Sequence, residues 1–252
     1  MSADELLKIV LSIGHYMLEY GAEIYRVEES VSRICKAYGA KSVDVFAIPS
    51  TIIVTLSMND DKPVTMTKRA YEKETDLNKV DRLNHLSRYI CANTPDAQTI
   101  KEMLCDIMSQ KQYGAVTLTI AFSVIPAIFC IFFGGNFKDA GVAFVIGAMM
   151  KFLLDLLLYL KTNIIFTNII ASLFASIIAI IAVNIGIGDH YDKIIIGSIM
   201  LLVPGLILTN SMRDFIMGDF MAGILRLIAA ILVATGIAIG VALALTAFGL
   251  HR

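Results

Sequence analysis

The chain is notable first for what it lacks. Four cysteines, Cys35, Cys91, Cys105 and Cys130, are scattered through 252 residues with no CxxC pair. A zinc or disulfide framework is therefore not expected, and each thiol reads as a small buried hydrophobe in a reducing compartment. There is no basic stripe, and the net charge is −1, which argues against a nucleic-acid partner. The first residues, MSADELLKIV, carry acids where a signal peptide needs a basic start, so cleavage or secretion of the front is not expected. No GxxxxGK phosphate loop occurs, and ATP drive would need another subunit. A nucleophile elbow and a zinc-protease motif are also missing, and no cofactor is expected. Charge itself is scarce in the second half. Of 21 Lys and Arg only 7, and of 22 Asp and Glu only 6, lie from Ala115 onward.

What is present fills that gap with apolar residues. Hydrophobic residues make up 57% of the chain, against roughly 45–50% in soluble domains, and the mean hydropathy is +0.72. The fold class implied is a membrane all-α bundle of five helices, residues 115–252, preceded by a small soluble α+β domain, residues 1–114.

In the front, apolar residues from Leu7 to Ile34 recur near the 3.6 period and predict helix over 3–38. Gly14 and Gly21 weaken it, so two helices or a bend are possible. Val43, Val45 and Ala47 alternate with Asp44 and Phe46, and Thr51–Thr55 is β-branched; the two runs read as strands joined at Pro49-Ser50. Asn59-Asp60-Asp61-Lys62-Pro63 is a turn cluster, and 64–67 a third strand. A helix is predicted over 76–92, with Leu77, Val80, Leu83, Leu86, Tyr89 and Ile90 inward. Thr94-Pro95 reads as a cap and first position of a last helix reaching about Tyr113. On one face of the first helix His15, Glu19, Ala22, Arg26, Glu29 and Arg33 fall within about 40° of one line at roughly 100° per residue, with Glu23 and Glu28 farther round. Such a stripe could bind a metal, a charged solute or a partner; a solvated face with i,i+4 pairs is the plainer meaning. One His and one Glu a turn apart leave a metal short of two ligands.

In the back, spans are predicted at 115–133, 141–160, 164–186, 194–212 and 227–248 against the ~20 residues a bilayer requires; the fourth carries a proline break and is short unless it extends to Met212, which fits a discontinuous helix. Placing the front in the cytoplasm puts Lys101, Lys111, Lys161, Arg213 and Arg226 inside and Lys138, Lys193 and Arg252 outside, with the carboxyl terminus outside. Lys151 and Asp155 lie one turn apart in the second span. A lone charge there costs at least ~2.5–3.5 kcal/mol, so they should pair or face a cavity; they are candidates for proton relay, or a structural ion pair. Asn168, Ser172 and Ser176 read as a helix-packing seam, and Gly236 and Gly240 as a GxxxG contact.

The stretch LVPGLILTNSMRDFIMGD, Leu202 to Asp219, breaks an apolar run at Pro204-Gly205 and trails Thr209, Asn210, Arg213, Asp214 and Asp219. Proline removes a backbone donor, and in lipid a freed carbonyl is tolerated only against protein or a wet cavity. Broken helices with polar groups at membrane depth bind small solutes in transporters; a kinked structural helix ending in a charged loop is the alternative.

Two blocks of this sequence resemble the bacterial threonine/serine exporter family. One is Gly14 to Leu56, centred on GAEIYRVEE; the other is PGLILTNSMRDFIMGDFMAG, Pro204 to Gly223. The resemblance covers nearly the whole chain. It implies an inner-membrane exporter of small polar metabolites, and the amino-terminal five-span half of the split, two-subunit type. Full-length members carry a second five-span half, absent here; some split members are associated with export of dicarboxylates such as succinate. The matching positions are Gly21, Ala22, Glu23, Arg26, Val27 and Glu28 in front. In the second block they are Pro204, Gly205, Thr209, Asn210, Arg213, Asp214, Gly218 and Asp219. The function expected is thus a component of a proton-coupled secondary exporter, moving threonine/serine-type amino acids or dicarboxylates. A separate membrane subunit or a homo-oligomer should complete it. The alternative is a membrane-tethered enzyme or a sensor acting through His15, Glu19, Glu23 and Arg26.

Overall fold

The computed structural model describes residues 1–58, 62–70, 75–110 and 113–249. The expected turn at Asn59-Asp60-Asp61 and the orientation charges Lys111 and Arg252 lie outside them. The chain forms two compact units, Met1–Lys111 with Leu208–Leu227, and Gln112–Ile207 with Ile228–Arg252.

In the first unit the run of helix breaks in two, α1 (Ala3–Glu19) and α2 (Ile24–Ala37). Gly21 causes the break: at φ +90° it occupies a left-handed conformation in which a Cβ is penalised. The predicted stripe therefore does not exist as one face. His15 and Glu19 stay on α1, Arg26, Glu29 and Arg33 stand on α2, and Ala22 is buried between. A three-stranded antiparallel sheet follows, β1 (Ala40–Ile48), β2 (Thr51–Met58) and β3 (Val64–Arg69), in sequence order. Ile48 pairs with Thr51 across the Pro49-Ser50 turn. Ile52, Val54 and Leu56 all face the core, as period-2 alternation requires. Helices α3 (Leu77–Asn93) and α4 (Ala97–Ser109) complete this part.

Helix α1 is central. Leu6, Leu7, Val10, Ile13 and Met17 are fully buried and share one core with Ile24 and Ile34 of α2, β2, Leu83 and Ile90 of α3 and Ile100 of α4. Gly14 is there for packing: a Cβ would sit 2.6 Å from Ile52 Cδ1 and 3.0 Å from Val31 Cγ2. Four local expectations need correction. Leu77 and Tyr89 are exposed, not inward. Thr94 is the left-handed C-cap of α3, and α4 is capped instead by Asp96, whose carboxylate accepts from the Gln98 and Thr99 amides. The last helix stops at Ser109, and Cys105 is exposed rather than buried.

The second unit carries the apolar helices. Among the described residues four are long and apolar enough to cross a bilayer: α5 (Ala115–Phe132), α6 (Phe137–Tyr159), α7 (Ile164–Asn184) and α10 (Phe220–Ala247), the last beginning in the first unit. The five-helix count is thus not confirmed. Where a fourth span was expected at 194–212 there are two short helices, α8 (Tyr191–Ile199) and α9 (Gly205–Met217). The gap falls where Pro204 has no N–H to give and crowds the carbonyl one turn back.

Proline acts again inside α5, where Pro126 leaves the Phe122 carbonyl without its helical donor. Gly147 of α6 comes up against that carbonyl so closely that a Cβ would lie 2.0 Å from the oxygen. Asn168, Ser172 and Ser176 are buried on α7, each bonded to the carbonyl four residues back at 2.7 Å. This seam meets Gly236 and Gly240, where a Cβ on Gly240 would lie 2.1 Å from Ser172 Oγ; small residues let the two backbones close. At the other end of α6, fully buried Asp139 accepts from the Asp189 and His190 amides and the Asn136 amide at 2.8–3.1 Å, tying the α7–α8 loop to the α6 capping box.

Candidate functional site

The two quoted sequence blocks meet within the first unit. Each is a helix stop of the same design. At the end of α1, the Gly21 amide bonds the Leu18 carbonyl and the Ala22 amide bonds the Met17 carbonyl, at 3.2 and 2.9 Å. At the end of α9, Gly218 takes φ +90°, its amide bonds the Phe215 carbonyl, and the Asp219 amide bonds the Asp214 carbonyl, at 3.2 and 2.9 Å. Both are Schellman stops with glycine at the left-handed position. Each sends the chain directly into another helix, α2 from Glu23 and α10 from Asp219.

Side chains of the second stop satisfy the first. Asn210 Nδ2 donates to the Gly21 carbonyl at 3.3 Å, and Arg226 Nη2 donates to the Ala22 carbonyl at 2.8 Å. Arg213 forms an ion pair with Glu23. Glu23 also holds Arg26 Nε at 2.9 Å through its other oxygen, so one carboxylate is shared by two guanidiniums. Gly223 permits this approach: a Cβ there would be 2.8 Å from the Phe215 ring, and the Gly223 carbonyl accepts from buried Ser211 Oγ at 2.8 Å.

Beneath these contacts lies Asp214, fully buried, with Arg226 Nε 3.4 Å from Oδ2. Burial pushes the Asp214 carboxyl above its ordinary value. The Arg226 charge opposes that push, Asp219 adds to it, the Ile24 amide opposes it and Glu23 adds to it. Arg226 Nη1 has no hydrogen-bond partner among the described residues, and the Asp214 oxygens have none beyond the approach of the Ile24 amide. This is a buried acid–base pair with unused donor and acceptor capacity, which ordinary packing avoids. Chemically it can take a polar group carrying both a donor and an acceptor, or a proton on Asp214.

The remaining predicted positions divide. Glu28 is partly buried, accepting from the Ala47 amide at 2.7 Å; burial raises its carboxyl, that hydrogen bond opposes the rise and Asp219 adds to it. Thr209 stands beside Asn210 on α9. Pro204 and Gly205 flank the break in the second unit. Lys151 and Asp155 pair with one another on α6, with the ammonium 5.9 Å from the Phe122 ring centre. His15 Nε2 is 3.1 Å from Glu19 Oε1 on α1. No cluster of three metal-ligating groups occurs among the described residues. The residue that sequence reasoning missed is Arg226, counted only as an inner-side charge. Its signal was a lone guanidinium at the edge of the final apolar run, immediately before Leu227.

Burial, helped by nearby Lys68, lowers the His15 imidazole to about 4. It is neutral when folded, while the unfolded chain takes a proton near pH 6.5. Between those values the unfolded state binds more protons, so stability falls as pH drops from 6.5 toward 4, by up to about 3 kcal/mol. Melting temperatures of the detergent-solubilised chain should fall over that range, and His15→Gln should flatten the slope. An identical slope in the variant would refute this account.

Comparisons with known proteins follow the same lines. The threonine/serine exporter family model matches residues 8–248. A protein of Klebsiella aerogenes named probable succinate transporter subunit YjjP is 25% identical over 100% of this chain and 99% of its own length. Its namesake in Escherichia coli (strain K12) is 23% identical over 97% and 95%. The threonine/serine exporter of Corynebacterium glutamicum is 23% identical over 94% of this chain but only 50% of its own length. No solved structure matches.

Proposed function

Because the chain belongs to the threonine/serine exporter family, and is a multi-pass membrane protein with several apolar helices, we propose that it is one subunit of a bacterial inner-membrane secondary exporter. The cargo is a small metabolite bearing a carboxylate, either a dicarboxylate or a threonine/serine-type amino acid. Two relatives are named as transporter subunits, and the proposal adds a second membrane subunit that completes the pathway. The front unit faces the cytoplasm.

One observation carries this reading: the buried Asp214–Arg226 pair, with open hydrogen-bonding capacity, lies where the two blocks join. Arg213 stands beside it, able to exchange Glu23 for a cargo carboxylate through charge-assisted bonds. Asn210 and Thr209 offer neutral partners. Asp214, its affinity for protons raised by burial, is the group we assign to proton coupling.

The test uses the native host, in which any partner subunit is present. A strain lacking the chain, loaded with labelled succinate or threonine, should release one of them more slowly than a strain carrying it. A protonophore should erase the difference. Equal efflux from both strains for every dicarboxylate and amino acid tried would overturn the assignment.

A further inference from the structure

On the face of α2 that meets α3 lies a groove of about 480 Å³. Its walls are unusual for a helix–helix seam. Arg26 and Arg33 stand on α2 and Arg88 on α3, against a single acid, Glu29. Glu29 is engaged by Arg33 at 2.5 Å and Arg26 by Glu23, while Arg88 has no ion-pair partner among the described residues. The floor is made by Ser30, Asn84 and Ser87, only 9, 7 and 5% exposed. Their polar atoms are not among the buried unpartnered ones, so they open into the groove. Hydroxyl and amide groups thus line a recess that a seam built only for packing would fill with apolar side chains. Net positive walls, fork-shaped donors from two helices and neutral donors beneath them suit one ligand chemistry.

We infer that the α2–α3 groove binds a small dianion, with Arg33 and Arg88 clamping it from opposite walls and Ser30, Asn84 and Ser87 donating hydrogen bonds at its base. Dicarboxylates and inorganic phosphate share this chemistry, and the volume admits either with water. Arg26 belongs to both the groove and the Glu23–Arg213 contact, so an anion that draws Arg26 toward itself loosens Arg26 from Glu23. The groove is therefore placed to report anion concentration to the proposed cargo site. Binding itself does not depend on the exporter reading.

Cys91 lines the groove and Cys105 is exposed away from it, which supplies a probe and a reference in one molecule. The full chain, purified in detergent, is alkylated with N-ethylmaleimide, and each cysteine is followed by mass spectrometry. Saturating succinate or phosphate should slow Cys91 about tenfold relative to Cys105, and the doubly charged clamp predicts no such protection by threonine. The double variant R33A/R88A should raise the half-protective concentration at least about tenfold, as loss of two charge-assisted contacts implies. Both arginines are exposed, and an unchanged melting temperature confirms that the variant folds. Protection at lower succinate than phosphate identifies a carboxylate ligand, and the reverse a phosphoryl one. Unchanged Cys91 reactivity with both anions overturns the inference, as does equal protection by threonine or undiminished protection in R33A/R88A. Normal protection in a chain that exports nothing would separate this site from the transport proposal.

Discussion

Arg226→Ala destabilises the protein by about 3–5 kcal/mol, because it strands a fully buried carboxylate without its counter-charge. The same change removes the donor to the Ala22 carbonyl, leaving the first helix stop incompletely satisfied. The loss has a pH signature. Without Arg226 the folded-state pKa of Asp214 moves further above its unfolded value, so the folded protein takes up a proton more readily than the unfolded chain. The destabilisation is then largest at neutral pH and shrinks as pH falls through that raised pKa toward the unfolded value. Thermal unfolding of the detergent-solubilised chain at pH 5 and 7 measures both effects. Asp214→Asn combined with Arg226→Met removes the two charges together and should restore most of the stability. It should not restore efflux, since it abolishes the carboxylate assigned to proton coupling. A loss below about 1 kcal/mol in Arg226→Ala would show that the pair is not buried as described.

Arg213→Ala behaves in the opposite way. Its side chain is 45% exposed, so the ion pair with Glu23 contributes at most about 1 kcal/mol to stability, and melting should hardly change. Efflux of the carried metabolite should nevertheless fall about 100-fold, the equivalent of a charge-assisted contact worth roughly 3 kcal/mol. Arg213→Lys should recover little of it, because an ammonium lacks the planar fork that matches a carboxylate. Glu23→Gln releases Arg213 without removing it and should cost less, about tenfold, through a less ordered guanidinium. Efflux is read in the native host beside wild type. Wild-type rates in Arg213→Ala would exclude this residue from cargo recognition while leaving the structural role of Arg226 untouched.

Sequence periodicity located the elements of the first unit well, because each strand and helix has one buried face to announce it. It failed where the signal depended on continuity. The stripe from His15 to Arg33 presupposed an unbroken helix, and a single left-handed glycine turned its two halves onto separate elements. The break at Pro204-Gly205 was legible, and the helices on either side of it run to 9 and 13 residues; apolar content alone did not show that neither is long enough to cross by itself. Much of the candidate site was legible through Gly21, Glu23, Asn210, Arg213 and Asp214, since polar residues flanking glycine stops stand out from their surroundings. Arg226 did not stand out, because an arginine near the end of an apolar run has an ordinary explanation as a flanking charge. Only the folded chain shows its reach back to Asp214. The Ser30, Asn84 and Ser87 floor was equally hidden, as small polar residues on a mixed helix carry no periodic signature.

The inclusion of residues 208–227 in the first unit has a practical consequence for dissecting the protein. Cutting the gene after the codon for Gln110 would not liberate a self-sufficient fragment. The truncated product would bare the Gly21 and Ala22 carbonyls, leave the Glu23 carboxylate without Arg213, and uncover the patch of core that Ala222 now closes. A stand-alone version would have to be a chimera, with residues 208–227 grafted behind α4 through a flexible tether so that the amputated piece can return to its seat.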